Sequence, residues 1–340
     1  MNKHHFAGGP AEMAGLFTLS IRLVLGWTYF SAFWRRLILD NKLIPDEAGY
    51  IGEKFNHFLP NALGIKPLIE YLVTHPEALH QSMVAFTIIE AIVGLLIILG
   101  LLTRLMSIGV FGLAMGILLG SGWLGTTCLD EWQIGVLGIS CGFTLFLTGS
   151  GSFSLDNYFL SNNVKLRDRR WFRWLGSGNL PIRSIKPFVL TGSLMIFGLT
   201  LYTNQFFHGG VWGPLHNKSV KPKLEISNIS LNSTELGFEI YRTEGADVYG
   251  SFLIGIELID KKGEILKSWS NTDLSTFPKS RIHNHYVTKV KPGKHALIIP
   301  LGAKADLTLN IKDIAEATNE IHTLKLVDVS GIEWTARVRK

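Results

Sequence analysis

A carboxylate stands inside one of the most apolar stretches of the chain. Glu90 lies within SMVAFTIIEAIVGLLIILGLLTRL, residues 82–105. A charge near the centre of a membrane helix costs about 2.5–3.5 kcal/mol, whereas each Leu, Ile, Val or Phe residue contributes about −0.3 to −0.6 kcal/mol. The stretch therefore inserts despite Glu90, and a functional role becomes a candidate reason for that residue.

Arg22, in the first apolar run, is expected to lie at about the same depth in the membrane as Glu90. An extended Arg22 would reach Glu90 from there, because charges inside membranes usually face the bundle interior and pair. Two interpretations stay open: a structural ion pair that holds the helices in register, or a proton-exchanging Glu90 beside a quinone headgroup, with Arg22 controlling its protonation. Cys141, in the fourth apolar run, is expected at a similar depth. Arg104 is expected to be a cationic anchor at the inner surface.

A second cluster is expected at the outer membrane surface. The stretch YFSAFWRR places Trp34, Arg35 and Arg36 at the end of the first run, and WLGTTCLDEW brings Cys128 and Trp132 to the same level. Adjacent guanidinium groups bind small oxyanions through paired hydrogen bonds. The tryptophans also fit an interfacial aromatic belt. Cys128 fits either a small buried residue or a lone reactive thiol.

Basic residues alternate in KSRIHNHYVTKVK, near the end of the chain. As a strand, this stretch would present one cationic face, formed by Lys279, Arg281, His283, His285, Lys289 and Lys291. Such a face protects a sheet edge or attracts a dianion from solution. Two histidines spaced H-x-H are too few ligands to assign a metal, and none is predicted.

Five segments are long enough to cross a bilayer as helices. They cover roughly residues 14–34, 82–102, 105–124, 132–148 and 187–207. The basic stretch VKLRDRRWFRW lies between two of them, so the positive-inside rule explains it better than nucleic-acid binding. That rule places residues 161–186 and the N-terminus in the cytoplasm. The loop over 35–81 and everything after 207 are then extracytoplasmic.

Glycines with small-xxx-small spacing predict how the helices pack. Gly112, Gly116 and Gly120 follow this spacing in the third segment, and Gly138 and Gly142 follow it in the fourth. Glycine allows two backbones to approach closely. The sequence therefore predicts a four-helix bundle over 1–160 and a fifth, tethering membrane helix over 187–207. The glycine faces would also allow a homodimer.

Short alternating runs dominate the remainder of the chain. Examples are ELGFEIYR, VYGSFLIGIELID and IHTLKLVDVSG, with turn-like DKKGE and KPGK between runs. Period-two alternation at this spacing is typical of an antiparallel β-sandwich. We expect it over 208–340, outside the membrane.

The cysteine count and glycine patterns limit the cofactors. Of the 340 residues only two are cysteines, and no CxxC or CxxCH occurs, which excludes covalent c-type haem and argues against a cysteine-ligated iron–sulfur cluster or zinc site. No GxGxxG follows a strand, so no flavin or nicotinamide domain is expected.

The motifs resemble those of a known membrane family. RLVLGWTYF…WRR, IEAIVGLLIILGLLTRL and TGSGSFSLDNYF resemble the DoxX/DoxD family, and GGVWGPLHNKSVKP with the β-rich remainder resembles DoxA. A chain with both is similar to the fused form of membrane-bound thiosulfate:quinone oxidoreductase. The resemblance implies oxidation of two thiosulfates to tetrathionate at the outer face of the cytoplasmic membrane, with a non-covalently bound, exchangeable quinone reduced. Family motif positions map onto Arg22, Glu90, Arg104 and Asp156.

Together, the residues and the resemblance predict three groups of site residues. Glu90, Arg22 and Cys128 are the expected catalytic residues, with Glu90 as proton donor. Substrate binding is expected from Trp34, Arg35, Arg36, His283 and His285. Quinone binding is expected from Arg22, Glu90, Trp132 and Cys141, between the first, second and fourth helices. Electrons pass either directly from thiosulfate sulfur to the quinone or through a covalent Cys128 adduct.

Two other functions remain in competition. A non-catalytic membrane anchor or assembly subunit of a respiratory or sulfur-oxidising complex would also lack a cofactor motif, but it would need neither outward arginines nor a buried carboxylate. An oxyanion transporter is disfavoured by the small number of helices and the lack of an inverted repeat.

Overall fold

The computed structural model describes residues 10–45, 47, 49–123, 131–162, 164–178, 180, 184–216, 221–245 and 251–338. The chain divides into two compact units. The first comprises Met1–Tyr50, His80–Gly122 and Glu131–Leu215, and the second comprises Ile51–Leu79, Trp123–Asp130 and His216–Lys340. The first unit is helical. The second combines the segment Ile51–Leu79 with all the described β-strands.

The helices follow the apolar pattern of the sequence. They are α1 Pro10–Phe17, α2 Leu19–Phe33, α3 Glu53–Phe58, α4 Lys66–Thr74, α5 Pro76–Leu99, α6 Thr103–Ser121, α7 Glu131–Thr148, α8 Leu155–Asn162, α9 Val164–Arg167, α10 Arg170–Leu175, α11 Ile185–Phe207 and α12 Asn271–Ser275. A π-helical segment, Trp34–Leu39, continues α2 directly. The first predicted span is therefore longer than expected, because wider π-turns carry it past Trp34.

Three helices in the described part of the chain have the length and composition of membrane spans. They are α5, α6 and α11, with mean hydropathies of 2.5, 1.6 and 1.4. The first predicted span is divided at Thr18 and by the π-helical segment, and α7 begins with the polar positions Glu131 and Gln133. The membrane character expected from the sequence is thus confirmed by the apolar helices.

Glycines on α7 pack against α6, as expected, but those on α6 do not. A Cβ on Gly138 would lie 2.9 Å from the Ala114 Cβ, and one on Gly142 would lie 3.1 Å from Val110 Cγ1. The expectation for Gly112 and Gly116 was wrong, since a Cβ on either would meet no atom within 4 Å. These two glycines face away from α7, and α6 presents larger side chains to it instead.

A second close approach fixes α2 against α5. A Cβ on Gly94 would lie 2.4 Å from the Phe30 nitrogen and 2.7 Å from the Gly26 oxygen, so a side chain would force the two helices apart. This backbone contact sets the register in which the end of α2 meets the middle of α5.

The fifth membrane helix does more than tether the second unit. Phe188 and Gly192 of α11 pack on Phe143 of α7, and the Trp132 Nε1 donates a 2.9 Å hydrogen bond to Thr203 Oγ1. The predicted tethering helix is thus also part of the helical unit, because aromatic and hydroxyl side chains pair it with α7 along its length.

The β-rich region is an antiparallel sandwich, which confirms the expected fold. Its strands are β1 Lys223–Leu231, β2 Glu235–Glu244, β3 Ser251–Ile259, β4 Ile265–Trp269, β5 Ile282–Asn284, β6 Lys291–Pro292, β7 Leu297–Ile299, β8 Lys304–Asn310, β9 Thr323–Asp328 and β10 Glu333–Arg337. One sheet has the order β1-β2-β8-β5, and the other has the order β10-β9-β3-β7-β6 with β4 paired to β3. Alternate residues such as Phe238, Ile256 and Leu326 fill the core between them.

The segment Ile51–Leu79 belongs to the same compact unit as the sandwich, and Asn56 is the centre of their contact. Asn56 is fully buried. Its Nδ2 donates to the Gly302 oxygen at 3.3 Å, and its Oδ1 accepts from the Thr288 nitrogen at 3.1 Å. Tyr286 Oη also donates to Glu70 Oε1 of α4 at 3.1 Å. The loop that follows the first membrane helix is thus held by backbone groups of the sandwich.

Candidate functional site

The buried carboxylate of the first unit is paired with an arginine at the end of the first helical stretch. Arg36 Nη1 lies 2.6 Å from Glu90 Oε2 and 3.1 Å from Thr87 Oγ1. Glu90 and Thr87 are buried, whereas the Arg36 side chain keeps 18% of its surface exposed. Arg36 lies in the π-helical segment, and π-turns frequently occur at functional sites. An intramembrane carboxylate therefore contacts a cation that also reaches the surface.

The prediction that Arg22 pairs with Glu90 was wrong. Arg22 donates instead to the Ser150 and Phe153 oxygens, at 2.5 and 2.6 Å. Arg22 precedes Arg36 by 14 residues, which is about 21 Å of helix. The contact of Gly26 with Gly94 brings Arg36, not Arg22, to the level of Glu90.

The chain after α7 folds around a second carboxylate, Asp156. This fully buried residue accepts hydrogen bonds from the Leu102 and Thr103 nitrogens, from Thr103 Oγ1 and from Ser177 Oγ, at 2.7, 3.0, 2.8 and 2.8 Å. Leu102 has a φ of 49°, so the turn before α6 is held in an uncommon conformation. A carboxylate that satisfies free N–H groups at a helix start is stabilising. Asp156 therefore has a structural role.

Arg104 has a similar role at the same end of the bundle. Its Nε donates to the Phe146 oxygen at 3.0 Å, and its Nη1 donates to the Arg173 and Trp174 oxygens at 3.2 and 3.4 Å. Only 3% of Arg104 is exposed. The expectation of a surface anchor was wrong, because the guanidinium satisfies carbonyls at the ends of α7 and α10. Three of the four motif residues, Arg22, Arg104 and Asp156, therefore hold chain turns and helix ends. The fourth, Glu90, pairs with Arg36 instead.

A cleft of about 450 Å³ opens between α2 and α7. Tyr29, Gly138 and Cys141 line it together with apolar side chains. Tyr29 is 2% exposed and lies within electrostatic range of both Glu90 and Cys141. Within the described residues its hydroxyl makes no hydrogen bond, and a Cβ on Gly138 would lie 3.0 Å from it. The cleft therefore combines an apolar lining with a hydroxyl and a thiol.

A second cleft, of about 470 Å³, lies between α6, α7 and α11. Ser107 supplies its only hydroxyl among the described lining residues, and that hydroxyl already donates to the Thr103 oxygen at 2.8 Å. This cleft holds no group that could exchange a proton, so the cleft at Tyr29 is the better candidate for a redox ligand.

The remaining predicted residues of the membrane part fall in different places. Trp34 and Arg35 are exposed, and Arg35 makes no ion pair or hydrogen bond to any described residue. Trp132 packs edge-on against His208, with its ring nitrogen bonded to Thr203 of α11. It does not line the cleft at Tyr29. Cys128 lies outside the described residues.

The two predicted histidines of the sandwich lie at a sheet edge but not on one long strand. Lys279–Arg281 is a 3-10 turn and β5 has only three residues, so the expectation of one extended basic face was wrong. His285 Nε2 lies 2.9 Å from Asp306 Oδ2, and the His283 and His285 rings are 5.4 Å apart. The edge position of β5 agrees with a protective role.

Acidic side chains balance the basic ones on this sheet. The ligand atoms of Glu239, His285 and Asp306 lie within 4.8 Å of one another, a spacing that a metal ion would fit. Lys304 Nζ, however, lies 3.1 Å from Glu239 Oε2 and already neutralises that carboxylate. Burial opposes ionisation of Glu239, but hydrogen bonds from Ser227 and Lys304 outweigh it and hold its pKa below the usual value. Basic and acidic side chains of this sheet thus form an ionic network.

Sequence reasoning missed Tyr29 and Thr87. Thr87 lies one turn before Glu90, on the same face of α5, and Tyr29 lies seven residues before Arg36. These spacings place them on shared helix faces. The signal was present in the sequence, but the placement of Arg36 was needed to connect the two helices.

Comparison with known families agrees with this architecture. Residues 17–183 match the family described as TQO small subunit DoxD, and residues 207–337 match TQO small subunit DoxA. The chain is a fusion of these two families. No solved structure matched the chain. The DoxD match covers the helices from α2 to α10, including Arg36, Glu90 and Asp156, and the DoxA match covers the sandwich. TQO denotes thiosulfate:quinone oxidoreductase, so the chain belongs with subunits of a membrane oxidoreductase.

Proposed function

We propose that this DoxD–DoxA fusion oxidises thiosulfate to tetrathionate and reduces a membrane quinone. The balanced reaction takes two thiosulfates, one quinone and two protons to one tetrathionate and one quinol. The observation that carries the proposal is the buried Arg36–Glu90 pair, 2.6 Å long, together with a cleft whose lining residue Tyr29 lies within electrostatic range of Glu90. Quinone reduction requires protons inside the membrane, and a buried carboxylate is suited to deliver them.

The connections of the chain support an extracytoplasmic sandwich. Segment Ile51–Leu79 follows the first helical stretch and belongs to the compact unit that contains the β-strands, into which α11 leads. The basic stretch over 161–186 connects the opposite helix ends. The positive-inside rule then assigns that stretch to the cytoplasm and the sandwich to the outside.

Arg35 is the first candidate to bind thiosulfate. It is exposed and free of described partners, and it neighbours Arg36 in the sequence. Arginine forms bidentate hydrogen bonds with oxyanions. A dianion held by Arg35 would lie at the end of the helical stretch that also carries Glu90's partner, which brings a water-soluble reductant close to a lipid-soluble oxidant.

The quinone head would enter the cleft between α2 and α7. The apolar lining suits its ring and tail, and the Tyr29 hydroxyl can donate to a quinone carbonyl. In this proposal Tyr29, which lies within electrostatic range of Glu90, passes a proton from the carboxyl to the ligand. Arg36 would then hold Glu90 and compensate its charge after proton release.

Two routes can carry the electrons from thiosulfate to the quinone, and both balance in atoms and charge. In the direct route, two thiosulfates form their S–S bond as both electrons reach the quinone. In the other route, Cys128 thiolate and thiosulfate form Cys–S–S–SO3⁻, with the two electrons and two protons going to the quinone. A second thiosulfate then attacks the sulfane sulfur, releasing tetrathionate and regenerating the thiolate. Unchanged turnover in Cys128→Ser would exclude the covalent route.

The proposal is tested with purified protein in vesicles that contain a quinone. Thiosulfate should produce quinol and tetrathionate in equal amounts without other subunits. Sulfite and sulfide, tested in parallel, should not replace thiosulfate. Absence of quinol formation in intact, quinone-loaded protein would contradict the proposal.

A non-catalytic anchor or assembly subunit is the second candidate. It is favoured by the structural roles of Arg22, Arg104 and Asp156, which hold helix ends and whose side chains make no hydrogen bond, within the described part of the chain, to a residue that lines the cleft at Tyr29. In that case, Glu90→Gln and wild-type protein should support the activity of a partner complex equally. A loss restricted to Glu90→Gln favours the enzyme.

A further inference from the structure

The buried face of α5 changes character at Glu90. Before Glu90, it carries Thr87 together with the apolar residues Leu79 and Met83, and the half-buried His80 lies beside them. After Glu90, it carries Val93, Gly94 and Ile97. The polar side chains of this face therefore lie at or before Glu90, and we call residues 80–90 the polar half and residues 93–97 the apolar half.

The polar half offers a route for protons. Thr87 Oγ1 and Glu90 Oε2 both bind the same nitrogen of Arg36, whose side chain reaches the surface. His80 lies seven residues before Thr87, about 10 Å along the axis and on the same face. Its Nδ1 is buried and makes no hydrogen bond to any described residue. An unsatisfied buried nitrogen in a polar row is a site for ordered water.

The apolar half offers no such route. Val93 and Ile97 pack with Leu113 and Leu145 in one buried cluster, which also contains Leu25, Tyr29 and Val110. Ile97 and Leu145 are fully buried. Among the described buried members of this cluster, Tyr29 alone has a polar side chain, and it lies within electrostatic range of Glu90. Protons cannot cross this layer without water or a polar group.

We propose that Glu90 takes up protons from the side on which α5 begins, through Arg36, Thr87 and His80, while the apolar cluster closes the opposite side. The inference rests on the proposed function and deepens it. Thiosulfate oxidation itself releases no proton, so both protons of the quinol come along this route. Electrons and protons then enter from the same side, and turnover moves no net charge across the membrane.

The side of uptake can be measured in sealed vesicles with the sandwich outside. An impermeant pH dye in the lumen and a second dye outside report each compartment during thiosulfate oxidation. The external medium should lose about two protons per quinol, with no lumenal change and no membrane potential. Quinol formation with lumenal alkalinisation would overturn the inference while leaving the proposed function intact.

His80 is tested by its effect on the pH dependence. In His80→Phe, the rate should fall most at alkaline pH, where free protons are scarce, and approach the wild-type rate as pH falls. The matched control is His75→Phe, an exposed histidine before α5, which should leave the profile unchanged. A uniform loss at all pH values in His80→Phe would indicate a structural role and contradict the proton route.

A measurement that needs no turnover separates this inference from the proposed function. In a Cys128→Ser/Cys141→Ser background, Thr87→Cys and Ile97→Cys are treated with a small charged methanethiosulfonate from either side. Thr87→Cys should react from the sandwich side at least about tenfold faster than Ile97→Cys, because only the polar half admits water. Faster reaction from the opposite side would overturn the inference even in an inactive protein.

Discussion

Arg36 Nη1 contacts both Thr87 and Glu90, at 3.1 and 2.6 Å, so the last turns of the first helical stretch are joined to the middle of α5. This contact has an energetic consequence that can be measured. Arg36→Met leaves Glu90 buried and unpaired, which should destabilise the fold by about 3–5 kcal/mol, whereas replacing both partners by apolar residues should recover most of that loss. Chemical unfolding in detergent of the two single variants and of Arg36→Met/Glu90→Leu measures the coupling. Arg35→Met is the control and should change stability little. Additive effects of the two substitutions would contradict the pair.

Asp156 should matter for stability rather than for substrate binding. Asp156→Asn replaces one carboxylate oxygen with an NH2 donor, so the turn keeps an acceptor for the Leu102 nitrogen or for the Thr103 nitrogen, but not for both. We expect a loss of about 1–3 kcal/mol in the free energy of unfolding. The KM values for thiosulfate and quinone should remain unchanged in the folded fraction. Asp40→Asn, at an exposed position, is the control. A changed quinone KM without a stability loss would place Asp156 at the ligand instead.

Asn56 should hold segment Ile51–Leu79 on the sandwich. Asn56→Ala leaves the Gly302 oxygen and Thr288 nitrogen without their buried partners, at about 1–3 kcal/mol for each group. Limited proteolysis within residues 51–79 should therefore accelerate. Asn61→Ala should have a smaller effect, since Asn61 makes one half-buried contact of 3.4 Å to the Thr243 oxygen. Equal protection of both variants would rule out the role of Asn56.

The sandwich should lose stability in acid through Glu239. Its folded-state pKa lies below the unfolded value of about 4.3, because Ser227 and Lys304 favour the charged form more than burial opposes it. The stabilisation is present above the unfolded pKa and is lost as pH falls through the lower folded pKa. Lys304→Met should flatten the dependence below about pH 5, as measured by thermal unfolding of the β-sheet signal. An unaltered slope would contradict the ionic network.

Arg35 should affect thiosulfate more than quinone. Arg35→Ala should raise the KM for thiosulfate at least about tenfold and leave the quinone KM unchanged, since one bidentate contact to an oxyanion is lost. Arg35→Lys should recover only part of the affinity, because an ammonium lacks the paired donors. Arg281→Ala, in the sandwich, tests whether any positive charge on the protein has the same effect. Equal changes in Arg35→Ala and Arg281→Ala would indicate general electrostatic attraction instead.

The overall architecture could be predicted from the sequence because it depends on local patterns. Apolar runs identified α5, α6 and α11, and period-two alternation identified the sandwich. The pairing of charges could not be predicted in this way. The π-turns after Phe33 and the contact of Gly26 with Gly94 decide which arginine meets Glu90, and neither leaves a distinctive pattern in one sequence.

The roles of the other charged motif residues could also not be predicted from their positions in the sequence alone. Arg22 and Arg104 are charged residues in apolar segments, which is typical of functional intramembrane residues. Both, however, donate to carbonyls at chain turns and helix ends. Those carbonyls belong to backbone that is distant in sequence, such as Ser150 and Phe146. Tertiary structure therefore separates Glu90, which pairs with Arg36, from charges that complete the fold.

The central claim is that the carboxyl of Glu90 delivers protons to a quinone reduced by thiosulfate. The most direct test compares quinol formation by wild-type protein and Glu90→Gln in vesicles matched for folded protein and quinone content. We predict a loss of at least about a hundredfold in the rate for Glu90→Gln, the contribution expected of a general acid, with the KM for thiosulfate unchanged. Quinol formation by Glu90→Gln at the wild-type rate would contradict the claim.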